Sequence, residues 1–378
     1  MKGKIYFDYA ATTPVKEEVA ETIKWAYGVE TGRLCASDDF GRNWRKQQRE
    51  QIAKFMGCSE GELLITACGS QSNNYILSAI CRYYEGETIH LMTTTIEHAS
   101  VLESFKEIEK SGHKVTFLPV DSDGHVSIET FEKSIRPETK YVSMMFFNNE
   151  IGCRQNIEVI GQMLREKGIF FHVDGIQALS NEVFDVSNLP IDAMSVSAHK
   201  IYGPKGIAAL YIREGERGRA VRELIIEDAP YSAFSNEGML VENMPYLAGF
   251  SRACERMMSS RTSHVEHLRK LKRLFFQLCG EKLATVKFNS QIDVGHPGIV
   301  NIELDKIDAD SALIVLDMKG FMLSAGSACS SGAISASHVL LALGLSEKEA
   351  KRCLRISFGD FTTEKDVENL VIALTEIG

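Results

Sequence analysis

No run of apolar residues in this 378-residue sequence approaches the roughly 20 needed to span a bilayer, so no membrane-embedded segment is expected. Positive charge is also in short supply: 42 Lys and Arg stand against 51 Asp and Glu, a net charge of −9. A nucleic-acid surface needs a basic field to neutralise phosphates, and none is expected here. Nor do the nine cysteines, at 35, 58, 68, 81, 153, 254, 279, 329 and 353, contain a Cys-x-x-Cys pair. Their number is odd, so neither a zinc site nor a disulfide framework follows, and most read as small buried apolar residues. The first residues, Met-Lys-Gly-Lys-Ile-Tyr-Phe-Asp, lack the apolar core of a signal peptide, which makes the cytoplasm the expected location. Internal repeats and low-complexity tracts are missing as well.

What is present is an ordinary globular composition, 44% hydrophobic and 25% charged, long enough for a large core and two domains. Residues 16–58 carry apolar residues at helical intervals around a Gly-containing loop. From 62 to about 215, β-like runs alternate with amphipathic stretches. The runs are 62–66, 88–93, 114–119, 141–147, 169–173, 193–196 and 208–212; helices are expected over 71–84, 99–111, 127–135, 156–167 and 175–180. Seven strands separated by helices predict an α/β fold, a mostly parallel sheet covered on both faces. Residues 216–247 read as irregular. A Lys/Arg-rich helix over 247–280 reads as an exposed linker, and 284–378 read as a smaller α+β domain.

In such sheets ligands bind beyond the carboxyl ends of the strands, so the polar residues there are the candidates. Run 62–66 leads into Ala-Cys-Gly-Ser-Gln-Ser-Asn-Asn (67–74), where Gly69 and Ser70 at a helix start suit an anion, or serve as a simple cap. The next ends carry His98, then Asn148, Asn149 and Glu150, then Asp174 and Gln177, then Ser197, His199 and Lys200. An Asp closing the apolar run Ile-Phe-Phe-His-Val is costly if buried unpaired. Their chemistry fits pyridoxal 5'-phosphate, which needs a lysine for its aldehyde, an acid for its ring nitrogen, an anion site and a group on the ring face. Lys200, Asp174, Gly69 with Ser70 and Ser197, and His98 meet those needs in that order.

The segment Ser195-Val-Ser-Ala-His-Lys-Ile-Tyr-Gly-Pro-Lys-Gly206 resembles the cofactor-lysine segment of cysteine desulfurases of iron–sulphur-cluster assembly, which are class V aminotransferase-like enzymes of fold-type I. So do Phe7-Asp-Tyr-Ala-Ala-Thr-Thr-Pro14, Ile96-Glu-His98, Asn148-Asn-Glu-Ile-Gly152 and His172-Val-Asp-Gly-Ile-Gln177. Leu323-Ser-Ala-Gly-Ser-Ala-Cys-Ser-Ser-Gly332 and Leu354-Arg-Ile-Ser-Phe-Gly359 extend the resemblance over nearly the whole chain. It implies a segment 1–15 packing on the small domain, a large cofactor-binding domain over 16–250, and a small domain over 251–378. His98 then stacks on the ring and shuttles protons, Asp174 faces the ring nitrogen, and Asn149 and Gln177 reach the cofactor O3′. Ser70, Ser197 and His199 hold the phosphate, while Arg355, with Asn149, takes the substrate carboxylate.

Cys329 becomes the nucleophile. Its surroundings, Gly326-Ser-Ala-Cys-Ser-Ser-Gly332, are small and polar and form no apolar face for a structural cysteine. The resemblance further implies an L-cysteine substrate, a homodimer, and an acceptor or scaffold protein that takes the persulfide from Cys329. Two segments depart from the family pattern. Gly32-Arg-Leu-Cys-Ala-Ser-Asp-Asp-Phe-Gly41 lacks the family's Asn-Pro-Ser-Ser and replaces a His by Asp38; with Asp39 it adds charge that would repel an anionic substrate. Residues 227–241 contain no Arg-Ser-Gly-Thr, whose Thr reaches the partner subunit's phosphate site. Three functions are therefore compatible: a cysteine desulfurase, a related lyase or desulfinase acting on selenocysteine or cysteine sulfinate, and a weakly active scaffold.

Overall fold

The computed structural model describes residues 3–29, 39–182, 185–228, 243–283, 285–326 and 336–377. Its strands are β1 (Ile5–Tyr6), β2 (Leu63–Thr66), β3 (His90–Thr94), β4 (Lys114–Leu118), β5 (Thr139–Met145) and β6 (Phe170–Asp174). They continue as β7 (Ala193–Ser197), β8 (Ala208–Ile212), β9 (Lys287–Phe288), β10 (Ile299–Glu303), β11 (Phe321–Met322) and β12 (Cys353–Ser357). Helices α1 to α6 are Glu17–Val29, Asp39–Met56, Gly69–Tyr83, Ala99–Lys110, Ile128–Ser134 and Ile157–Glu166. Helices α7 to α12 are Glu216–Asp228, Met244–Lys282, Ala309–Met318, His338–Ala342, Glu347–Ala350 and Glu364–Thr375.

Seven strands form the main sheet in the order β2-β8-β7-β6-β5-β3-β4, and only β8 runs against its neighbours. The expected α/β sheet is the one observed. Its strands are apolar on both sides because both sides are covered. Tyr141 of β5 and Phe170 of β6 face one core, with Ile76 and Ile80 of α3, Phe105 of α4 and Val221 of α7. Their neighbours Val142 and Phe171 face the other, with Ile157 and Ile160 of α6 and Phe250 of α8. Alternation at period two distributes the side chains in this way.

Beyond this sheet, β12, β10 and β9 form an antiparallel sheet, and β1 pairs in parallel with β11. Phe7, just after β1, joins the core built by Val300, Leu354, Leu370 and the second half of α8.

Three expectations change. Residues 216–247 were expected to be irregular, but Val221 and Ile225, one helical turn apart, seat α7 on the sheet among charged neighbours that mask the pattern. Residues 175–180 form successive turns rather than a helix. The Asp174 carboxylate accepts the Ile176 N–H at 3.1 Å and offers the backbone a non-helical partner. Helix α8 is no exposed linker. Leu247, Phe250 and Met257 enter the first core, and Leu268, Leu271 and Phe275 enter the core around β10 and β12.

Candidate active site

Chain order reverses between β3 and β5: β4 follows β3 to one side, and β5, β6 and β7 succeed one another on the other. A crevice opens at such a switch point, beyond the carboxyl ends of the strands. Here it is a cavity of about 220 Å³. Of the eleven residues given a role from the sequence, nine line it: Lys200, His98, Asp174, Gln177, Asn149, Gly69, Ser70, His199 and Arg355; the strand-end candidates Asn148 and Glu150 are buried outside its lining. Ser197, the last residue of β7, is buried and is not among the lining residues. Cys329 lies outside the described residues, as do Asp38 and residues 229–241 of the second departing segment.

Lys200 ends a single 3-10 turn, Ala198–Lys200, that follows β7 directly. Two residues later Tyr202 adopts φ 66°, a left-handed conformation rare outside glycine. Thr13 of the N-terminal segment holds it there: its Oγ1 accepts the Tyr202 N–H at 2.8 Å and donates to the His199 carbonyl at 2.8 Å. Gly203 completes the turn, because a Cβ there would lie 2.8 Å from the Ala198 carbonyl oxygen. The Lys200 ammonium thus points into the cavity and donates to the carbonyls of Ala10 and, at 2.9 Å, Ala11.

Asp174 closes β6 and is buried. Asn73 of α3 donates to its Oδ2 at 2.9 Å, and the Ile176 N–H donates to Oδ1. His98 is the N-cap of α4, with Nδ1 accepting the Ser100 N–H at 3.1 Å. A neutral imidazole in this arrangement carries its proton on Nε2. Burial lowers the pKa of His98, Asp174 opposes that shift, and Lys200 adds to it. His199 is pushed down to about 3 by burial and then by Lys200 and Lys205. It faces the cavity as a neutral ring with Nδ1 3.0 Å from Thr12 Oγ1.

Gly69 and Ser70 begin α3, a 15-residue helix whose free N–H groups and dipole favour an anion. Glycine at 69 lets the Ile176 side chain lie against the start of the helix, since a Cβ there would fall 2.1 Å from Ile176 Cδ1. Cys68, the N-cap, is exposed and lines the cavity, against the expectation of a buried apolar cysteine. Asn73 and Thr12 also escaped the sequence reading, since each acts on a partner distant in the chain, Asp174 and His199.

Arg355 of β12 is 1% exposed, yet its guanidinium reaches the cavity wall. It donates to the Asn149 carbonyl at 3.0 Å and to Asp8 at 2.7 Å. Gln177 donates to the Ala10 carbonyl at 2.9 Å, so three cavity residues converge on the N-terminal segment. Described residues on either side of 327–335 lie against Glu150: Ser337 Oγ donates to Glu150 Oε2 at 2.6 Å, and a Cβ on Gly326 would lie 3.1 Å from the same oxygen. Among the described residues there is no cluster of His, Cys, Asp or Glu that could hold a metal ion, and no helix is long and apolar enough to cross a membrane.

The cavity therefore offers a lysine amine, a buried carboxylate, an imidazole, an anion cradle and a guanidinium. The profile of the class-V aminotransferase family matches residues 5–370. The chain belongs to that family. This class-V aminotransferase-type chain is 35% identical over 384 residues to the cysteine desulfurase IscS of Clostridium botulinum, covering 100% of this chain and 95% of that protein. It is 33% identical to the IscS of Dictyoglomus turgidum, with the same coverage. Among solved structures, a NifS-like protein superimposes with a TM-score of 0.88 at 29% identity, covering 99% of both chains. SspA in complex with cysteine superimposes with a TM-score of 0.75 at 31% identity, covering 95% of this chain and 99% of that one. The resemblance to cysteine desulfurases read from the motifs thus extends over the whole length of the chain.

Proposed function

We infer that this protein is a cysteine desulfurase that converts L-cysteine to L-alanine and leaves a persulfide on Cys329. The observation carrying this reading is the convergence on one cavity of Lys200, Asp174 and His98, from the ends of three strands of the main sheet, and Arg355, from the middle of β12. Pyridoxal 5'-phosphate fits the donor set. Asp174 would hold its ring nitrogen, His98 its ring face, Gly69, Ser70 and His199 its phosphate, and Asn149 and Gln177 its O3′. When bound, it condenses with an amine and draws electrons from the substrate carbon.

The remaining roles fall to the chain. Arg355, with Asn149 beside it, binds the substrate carboxylate and orients the substrate. The Lys200 amine and His98 Nε2 are the groups that hold and move protons at the substrate carbon. The Cys329 thiolate forms a bond to the substrate sulfur as the carbon–sulfur bond breaks. The electrons of that bond remain on carbon, which takes up a proton, so alanine and the persulfide account for every atom. The neutral His199 ring donates to an anion without adding a charge that would need its own partner.

The chain divides into an N-terminal segment over 1–15, a large part over 16–250 and a small part over 251–378 that carries Cys329. It acts as a homodimer and passes sulfur to an acceptor or scaffold protein, in iron–sulphur-cluster assembly or a thiolation pathway. The test is alanine released from L-cysteine by the cofactor-loaded protein, with a reductant present to clear the persulfide. Steady turnover, reduced at least a hundredfold in Cys329→Ala, is expected; the loss of transition-state stabilisation then exceeds about 2.7 kcal/mol. Turnover unchanged in Cys329→Ala would replace this reading by a lyase or desulfinase. No alanine at all from loaded protein would remove both.

A further inference from the structure

Arg355 already has an anion. A guanidinium that is 1% exposed must be neutralised, and Asp8 Oδ1 accepts from its NH2 at 2.7 Å. The Asp8 carboxylate is itself fixed, because Ser324 Oγ donates to Oδ2 at 2.8 Å. Ser324 is tied in turn to Arg355 through the backbone, the Arg355 N–H donating to the Ser324 carbonyl at 2.7 Å. Asp8 also bridges to Ser357 across the start of the chain. The ion pair, its support and the strand that carries the arginine form one rigid unit at the cavity wall.

We propose that Asp8 is a resident counter-ion that sets how tightly Arg355 takes an incoming carboxylate. This rests on the assignment of Arg355 to the substrate carboxylate. A carboxylate seated on Arg355 shares its guanidinium with Asp8, and the two anions repel across a partly buried site. Part of the attraction to Arg355 is thereby cancelled, so substrate and product carboxylates are both held weakly. That weakening acts equally on ground and transition states; it belongs in KM and not in kcat. Asp8 is a positioning residue acting through Arg355.

Asp8→Asn keeps the shape, the acceptor toward Arg355 and a partner for Ser324, and removes the charge. On the cofactor-loaded protein, propionate, a carboxylate of the substrate's size without amine or sulfur, is titrated by calorimetry. KM and kcat for L-cysteine are measured alongside. Both the propionate dissociation constant and KM are expected to fall about tenfold in D8N, with kcat not raised. Unchanged or weaker propionate binding overturns the proposal, because a merely structural anchor would loosen the site when altered. Asp8→Ser carries the same expectation if D8N does not accumulate. Arg355→Gln separates the two failures. Propionate bound by R355Q as by the wild type removes the carboxylate assignment and this inference with it. Propionate lost in R355Q with no gain in D8N removes the inference about Asp8 alone.

Discussion

Glu97 and His98 stand side by side after β3, and burial drives both toward their uncharged forms. Glu97 Oε1 accepts from Thr94 Oγ1 at 2.7 Å and from the Met145 N–H at 3.0 Å, while Oε2 is buried without a partner. Burial pushes its pKa up to about 8. The unfolded chain releases this proton near the ordinary value of 4.5, whereas the folded chain keeps it to about 8. Glu97 therefore contributes its full stability below 4.5 and loses it as pH rises through 8. Glu97→Gln, neutral throughout, should match the wild type in denaturant midpoint at acid pH. It should gain on it between pH 4.5 and 8, by at most about 1.4 kcal/mol per pH unit. Parallel midpoints across that range would mean that the carboxylate is solvated. At this scale Lys200 and Asp174 were legible, because each ends an apolar run where a charged residue has no structural reason to stand. Cys68 was not, since its exposure is decided by the N-cap position of α3 and not by its small neighbours.

At the scale of elements, α8 shows how composition misleads. Its 39 residues span roughly 58 Å, and the Lys/Arg-rich sequence reads as solvated, yet one stripe is buried along both cores. Lys272 lies in that stripe, 2% exposed, with Nζ donating to the His296 carbonyl at 3.1 Å. Burial lowers its pKa to about 8 against the ordinary 10.5. Lys272→Met should raise stability at pH 7 by about 1–3 kcal/mol, as apolar replacement of a buried charge commonly does. Between about pH 8 and 10.5 the unfolded wild type binds a proton that the folded form does not, so wild-type stability gains with pH and the difference from K272M should narrow. Chemical denaturation at pH 7 and pH 9.5 measures both. A less stable K272M would show that the bond to the His296 carbonyl outweighs the desolvation of the ammonium.

At the scale of the molecule, parts distant in sequence meet at Asp360. Lys16, ahead of α1, approaches it at 3.0 Å, Arg256 and His264 of α8 bond its two oxygens, and the Asp360 N–H donates to Tyr202 Oη at 2.8 Å. Burial alone would raise its carboxyl pKa, but the His264 hydrogen bond and the Lys16 and Arg256 cations hold it well below the ordinary range. Its contribution is present at neutral pH and is lost only as pH falls below the ordinary 3.8. Asp360→Asn leaves the cations facing a neutral amide and should cost about 3–5 kcal/mol at pH 7, read as a lowered denaturation midpoint. A change within about 0.5 kcal/mol would place the group among ordinary surface positions. Since Tyr202 lies two residues from Lys200, D360N should also weaken cofactor retention.

The sequence by itself determined the sheet and most of the cavity. Period-two and helical patterns specify which strands are buried on both faces, and a parallel sheet puts the residues after each strand at one edge. His98, Asn149, Asp174 and Lys200 follow from that rule without any long-range contact. Only the tertiary structure decided which groups hold them. Asn73 on Asp174, Thr13 on the Lys200 turn, and Ala10 and Ala11 on the lysine ammonium come from distant parts of the chain. The pairing of Asp8 with Arg355 joins positions 347 residues apart. No local pattern encodes such contacts, because they depend on how β1, β11 and β12 bring the start of the chain back over the crevice.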